Sequence, residues 1–150
     1  MKHPWSMLFL IKHAYATCIH AVSKQYDLNV MECSILLLLA EDPALDTAQK
    51  VADTYHLSKS HVSTSLSALE RKGFVQRLRN GQKQKNVRLK VLDPGCQAAA
   101  ACRAALGELA DRMAEGFSEE QAAFLKNSME TVMHNLQQYI QQPRKESDLP

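Results

Sequence analysis

The chain has 150 residues, of which 45% are apolar and 23% charged, a composition typical of one ordinary domain or of one domain with a helical appendage. Five glycines and five prolines exclude collagen-like and linker-dominated chains, and the longest uninterrupted apolar run, Ile35 to Ala40, is too short to span a bilayer. The net charge of +2 does not by itself indicate a binding partner, so the distribution of the charges matters more than their total.

The N-terminal segment is predicted to be helical over residues 5–26, because its apolar residues from Leu8 to Tyr26 recur three or four positions apart. The same segment imitates a signal peptide. However, Lys12 and His13 interrupt its apolar stretch, and the helical spacing continues past the mock cleavage site. We therefore expect mature protein that resides in the cytoplasm and has no membrane partner.

A second helix is predicted to begin after Asn29, because Glu32 follows three residues later in the pattern of a capping box. This helix should run to about Glu41. Its Ile35–Leu39 run is apolar on every face, so we expect it to be the most buried helix.

Two further helices follow, a short one capped by Asp46 or Thr47 and a longer one capped by Ser58 that ends at Gly73. Serine and threonine are mediocre helix formers, but their short hydroxyl side chains let a helix approach another surface closely and hydrogen-bond to it. The longer helix has an apolar stripe of Val62, Leu66 and Leu69, and its other face carries Lys59, Ser60, Ser63, Thr64 and Ser67.

Two β-prone segments, residues 74–79 and 87–92, are joined by seven polar residues. The pair Asn80-Gly81 favours a tight hairpin, and a long basic loop is the alternative. A helix-turn-helix followed by a basic hairpin is a winged helix.

The C-terminal third is predicted to form two helices. Asp93 should cap the first, with Pro94 as its first residue, and this helix should run to about Glu115. Ser118 and Gln121 have the spacing of a capping box for the last helix. The predicted fold class is mainly α with a small β-hairpin wing: a winged helix-turn-helix module plus a helical dimerisation domain.

The middle of the chain is strongly basic. Residues 54–92 hold nine lysines and arginines against one acidic residue, Glu70, whereas the rest of the chain is acidic. Such a segment is an electrostatic footprint for a polyanion, and in a winged helix the second helix enters the major groove of DNA. We expect phosphate contacts from Ser58, Lys59, Arg77, Arg79, Lys83, Lys85 and Arg88, and base-edge contacts from Ser60, His61, Ser63, Thr64 and Ser67.

The stretch from Leu28 to Gly95 resembles the MarR family of bacterial transcriptional regulators. The matching residues are Leu28-Asn29, Thr47-Ala48-Gln49-Lys50-Val51-Ala52, Ser58-Lys59-Ser60-His61-Val62-Ser63 and Leu69-Glu70-Arg71-Lys72-Gly73-Phe74-Val75. With the flanking helices the resemblance covers about residues 5–141. The sequence departs from the family pattern in two places: Lys83-Gln84 replaces a wing Asp-Arg pair, and Leu92 replaces a threonine.

The resemblance implies a homodimer that binds a pseudo-palindromic site on double-stranded DNA, as a repressor released by a small-molecule effector. Residues 28–92 would form the DNA-binding domain, and residues 1–27 and 93–150 a discontinuous helical dimerisation domain. The sequence agrees, because the long terminal helices carry more apolar surface than one chain can bury. The family's ligand site would lie near His13, Thr17, Met31 and Cys33.

Other functions have weaker support in the sequence. The four cysteines contain no C-x-x-C pair and are expected to be free thiols, among which Cys18 and Cys96 are candidates for a redox-sensing regulator. No two histidines lie three or four residues apart on one helix, so we expect no metal site, and no cofactor is expected. Enzyme motifs are absent from the sequence, so we expect no catalysis. A winged-helix protein-interaction module is the remaining alternative.

Overall fold

The computed structural model describes His3, residues 6–79 and residues 87–141. The chain clusters into two compact units, Met1–Ala110 and Asp111–Pro150. The fold is mainly α with a two-stranded antiparallel wing, which confirms the predicted fold class. Its elements are α1 (Ser6–Gln25), α2 (Val30–Glu41), α3 (Ala48–Thr54), α4 (Lys59–Arg71), β1 (Val75–Arg79), β2 (Val87–Val91), α5 (Asp93–Ala114) and α6 (Glu119–Gln141).

Helix α2 is the centre of the first unit and packs against α1, α3 and α4. Its Ile35 and Leu36 have no exposed surface, which confirms the prediction that this is the most buried helix. The predicted capping box is also present, because Asn29 Oδ1 accepts from Glu32 N at 2.8 Å while Glu32 Oε2 accepts from Asn29 N at 3.1 Å.

The helix-turn-helix has the expected helices, with one difference at a cap. Of the two predicted caps of α3, Thr47 is the one used, and its hydroxyl accepts from Lys50 N at 3.2 Å. Ser58 is the N-cap residue of α4, but it makes no side-chain cap hydrogen bond, because its hydroxyl pairs with that of Ser60 at 2.8 Å. The helix stops at the predicted glycine, Gly73, whose φ of 79° is in the left-handed region that favours glycine.

The wing strands pair antiparallel with Val75 opposite Val91 and Arg79 opposite Val87. Each strand is one residue shorter than predicted. The predicted Asn80-Gly81 turn lies outside the described residues.

Helix α5 begins at Asp93, so this residue is the first of the helix and not its cap as predicted; the carbonyl of Leu92 accepts the first helical hydrogen bond, from Cys96 N at 2.9 Å. Within the second unit, Ser118 and Gln121 form the predicted capping box. None of the residues of α6 whose side chains are described is buried. No helix in the described ranges has both the length and the apolar character needed to cross a membrane.

Candidate nucleic-acid interface

Helix α4 has two chemically different faces. Val62, Leu66 and Leu69 are at most 1% exposed and anchor the helix in the core of the first unit. All the residues of α4 that we expected to face DNA are exposed to solvent: Lys59, Ser60, His61, Ser63, Thr64 and Ser67. A helix anchored along one side that presents short polar side chains on the other has the form of a recognition helix.

The turn between α3 and α4 sets the angle at which α4 emerges. His56 has a φ of 50°, an uncommon conformation for a residue other than glycine, and Leu57 N donates to Ala52 O at 2.9 Å. The contacts between α3 and α4 then fix the two helices against each other. Because the hydroxyl of Ser58 is turned toward Ser60, it leaves the first-turn N–H groups of α4 open to an outside acceptor such as a phosphate oxygen.

The first wing strand is joined to α4 through Arg77, which we expected to contact phosphate. Its Nη1 donates to Glu70 Oε2 at 3.0 Å, its backbone N donates to Glu70 Oε1 at 3.2 Å, and its Nη2 donates to Ser67 Oγ at 3.2 Å. The hydroxyl of Ser67 also donates to Ser63 O at 2.9 Å. Arg77 and Ser67 therefore already have protein partners in the free chain.

The second wing strand is joined to the start of α3 in a similar way. Arg88 Nη1 lies 2.8 Å from Asp46 Oδ2, and Leu89 N donates to the carbonyl of Asp46 at 2.7 Å. Lys50 Nζ lies 2.6 Å from Asp46 Oδ1. The hydrogen bond from Lys50 lowers the pKa of Asp46, which is therefore ionised at neutral pH.

Three further cations were predicted in the wing. Arg79 is the last residue of β1, and Lys83 and Lys85 lie outside the described residues. Sequence reasoning missed the carboxylates of Asp46 and Glu70 as partners of the wing, because nothing in the local pattern links Asp46 to a residue 42 positions further along the chain.

The four residues expected near a ligand lie in different surroundings. His13 and Thr17 are exposed one turn apart on α1, and Thr17 Oγ1 donates to His13 O at 2.9 Å. Met31 is half-buried, and Cys33 has no exposed surface. None of the four lines the 230 Å³ cavity between β2, the end of α2 and the start of α5, whose walls include Leu89.

The cysteines are all free, as expected. Burial raises the pKa of the Cys18 thiol, which lowers its reactivity at neutral pH. Cys33 and Cys102, both fully buried, share a side-chain hydrogen bond that raises the pKa of Cys33. Cys96 is exposed in the first turn of α5. Within the described part of the chain, no three histidine, cysteine or acidic side chains are grouped as a metal site.

Comparison with known proteins agrees with this geometry. Residues 26–84 match the model of the MarR family. A MarR transcriptional regulator from Methanosarcina mazei Go1 superposes with a TM-score of 0.76 at 16% identity, covering 91% of this chain and 93% of its own. No curated protein sequence matches the chain.

Two staphylococcal structures are similar as well. The S. aureus MepR–DNA complex has a TM-score of 0.73 at 18% identity and covers 89% of this chain and 98% of the MepR chain. A Staphylococcus aureus MarR in complex with salicylate and kanamycin has a TM-score of 0.76 at 13% identity and covers 89% and 90% of the two chains. Over residues 26–84 the chain is similar to the MarR family, and its fold is the winged-helix fold of MarR regulators of known structure.

Proposed function

We propose that this chain is a sequence-specific regulator of transcription that binds double-stranded DNA as a homodimer and acts as a repressor in the cytoplasm. The observation that carries the proposal is the division of α4, with Val62, Leu66 and Leu69 buried and six polar residues exposed beside a basic wing. The S. aureus MepR–DNA complex, whose fold is similar, supports DNA binding by this chain.

The exposed residues suggest how affinity and specificity are divided. Lys59, Arg79, Lys83 and Lys85 would contact phosphates, which give affinity that depends on salt but carries no sequence information. Ser60, His61, Ser63 and Thr64 would read base edges. None of them is an arginine, so direct readout is modest and the shape of the DNA contributes.

The proposed homodimer is supported by apolar side chains that are exposed to solvent in each of the two units. In α1, Phe9 is 76% exposed and Leu10 68%, and in α6, Phe124 is 74% exposed. An open cavity of about 390 Å³ in the second unit is lined by Phe117, Phe124 and Leu125. Apolar patches of this kind mark protein interfaces, and a twofold dimer would present two copies of α4 to a pseudo-palindromic site.

A small-molecule effector is proposed to release the DNA. The support is the resemblance to regulators of this fold, including the Staphylococcus aureus MarR in complex with salicylate and kanamycin. On this chain the site would lie near His13, Thr17, Met31 and Cys33, of which His13 and Thr17 are exposed.

The proposal is tested by selecting bound sequences from random duplex DNA at several salt concentrations. We expect an enriched site with a twofold repeat, and Ser63→Ala should weaken the base preference at one position of each half-site by about tenfold. Thr131→Ala, which removes an exposed hydroxyl from α6, is the matched control and should leave the preference unchanged. Absence of binding even at low salt would contradict the proposal and favour a protein-interaction module.

The wing is tested separately with Lys83→Ala combined with Lys85→Ala. Affinity should fall by a similar factor for every DNA sequence, and the slope of log affinity against log salt should become shallower by about 0.9 for each phosphate that the wing no longer neutralises. Lys24→Ala with Lys126→Ala removes the same charge outside the winged helix and should not change the slope. An unchanged slope in the wing variant would refute the assignment of Lys83 and Lys85.

A further inference from the structure

Both strands of the wing are held to the helix-turn-helix by a carboxylate. Glu70 at the end of α4 binds Arg77 of β1 at 3.0 Å, and Asp46 before α3 binds Arg88 of β2 at 2.8 Å. The link to β2 also includes the backbone, because the N–H of Leu89 donates to the carbonyl of Asp46 at 2.7 Å.

A carboxylate at this place is unexpected for a surface that binds a polyanion. Asp46 precedes the cap of α3 and its side chain is 17% exposed, with Lys50 and Arg88 on its two oxygens. Ion pairs with exposed arginines contribute little to stability, so a stabilising role alone does not account for it. The Asp46–Arg88 pair fixes the position of β2 relative to α3. Because α3 packs against α4, the pair also fixes the position of β2 relative to α4.

We propose that Asp46 is a positioning residue for DNA binding: through Arg88 it holds the wing at the place from which wing and recognition helix reach the same duplex together. This inference rests on the proposed function. The alternative is that Arg88 itself contacts phosphate and that Asp46 only weakens that contact. The two mechanisms predict opposite signs for the loss of the Asp46 charge.

The experiment measures operator affinity of Asp46→Asn, Arg88→Gln and the double variant by fluorescence anisotropy. If Asp46 positions the wing, Asp46→Asn weakens binding by about three- to tenfold although it removes a negative charge. The double variant is then no weaker than either single variant, because all three variants break the same link. If Arg88 contacts phosphate directly, Asp46→Asn strengthens binding and the double variant falls between the two single ones. That result would overturn the proposal.

Two variants separate positioning from charge and from misfolding. Asp53→Asn removes the same charge from α3, where Asp53 bonds only to Gln49 of its own helix among the contacts described, and should leave the affinity within about twofold of the wild type. Asp46→Glu keeps the carboxylate and should restore binding. If Asp46→Glu binds as weakly as Asp46→Asn with an unaltered unfolding midpoint, the carboxylate is not what holds the wing.

A readout without DNA distinguishes failure of this inference from failure of the proposed function. In Asp46→Asn the amide of Leu89 should exchange its hydrogen faster, whereas that of Leu66 in α4 should not change. If the wild-type chain binds no duplex, the proposed function fails, and the inference about DNA binding fails with it. The hydrogen-exchange rate of Leu89 still shows in that case whether Asp46 holds the wing. Unchanged exchange at Leu89 would overturn the link itself.

Discussion

Gly95→Ala is expected to destabilise the protein by about 2 to 3 kcal/mol, the cost of overpacking a well-packed site. A Cβ atom at this buried glycine would lie 2.3 Å from the carbonyl oxygen of Phe74 and 2.8 Å from Cγ1 of Val91. The Phe74 carbonyl is backbone, and it accepts from Leu92 N at 2.9 Å. It cannot move away without breaking the hydrogen bond that joins the start of β1 to the end of the wing.

Gly107→Ala is the matched control, because it makes the same change in the same helix. A Cβ atom at Gly107 would meet nothing within 4 Å, so the usual gain of about 1 kcal/mol for alanine over glycine in a helix should appear there. Urea unfolding at one fixed protein concentration measures both variants. If Gly95→Ala is as stable as the wild type, the close approach of α5 to the wing is not as described.

Helix starts were predictable because their signals are local. Asn29 with Glu32 and Ser118 with Gln121 form capping boxes whose partners lie three residues apart, and the structure confirms both. Ser58 shows the limit of this reasoning. It stands at the cap position as predicted, yet a nearby hydroxyl, that of Ser60, competes for its side chain.

The partners of the wing cations were not predictable from the same kind of pattern. The count of basic residues identifies a basic segment, but it does not tell a free arginine from one that is already paired. Arg77 binds Glu70 seven residues away, and Arg88 binds Asp46 from across the fold. Only the tertiary structure shows which arginines are paired. The carboxylates of Glu70 and Asp46 therefore compete with DNA phosphates for these two arginines.

Close packing at glycines is equally invisible in the sequence. Gly95 and Gly107 are both glycines in a helix rich in alanine, and the pattern alone would suggest alanine at either place. The structure separates them, because Phe74 and Val91 lie against Gly95 in the first turn of α5, whereas an added Cβ at Gly107 would have open space around it.

The largest effect on DNA binding is expected from Leu136→Asp. The apolar stripe of α6 is half-exposed along its length, with Val132 46%, Leu136 50% and Ile140 52% exposed. If this stripe is a dimer interface, an aspartate in it would be buried in apolar surroundings without a partner and the dimer would dissociate. The species in solution should then have the 16.8 kDa mass of one chain.

Loss of the dimer should weaken operator binding by about 100-fold or more, because the second half-site no longer binds at a high effective concentration. Gln138→Asp adds the same charge two residues along, off the apolar stripe of α6, and should leave both mass and affinity unchanged. Light scattering and anisotropy measure the two quantities on the same samples. If the Leu136→Asp protein stays dimeric and binds the operator normally, the dimer interface does not include the apolar stripe of α6. An unpaired charge buried in an apolar interface would destabilise the dimer.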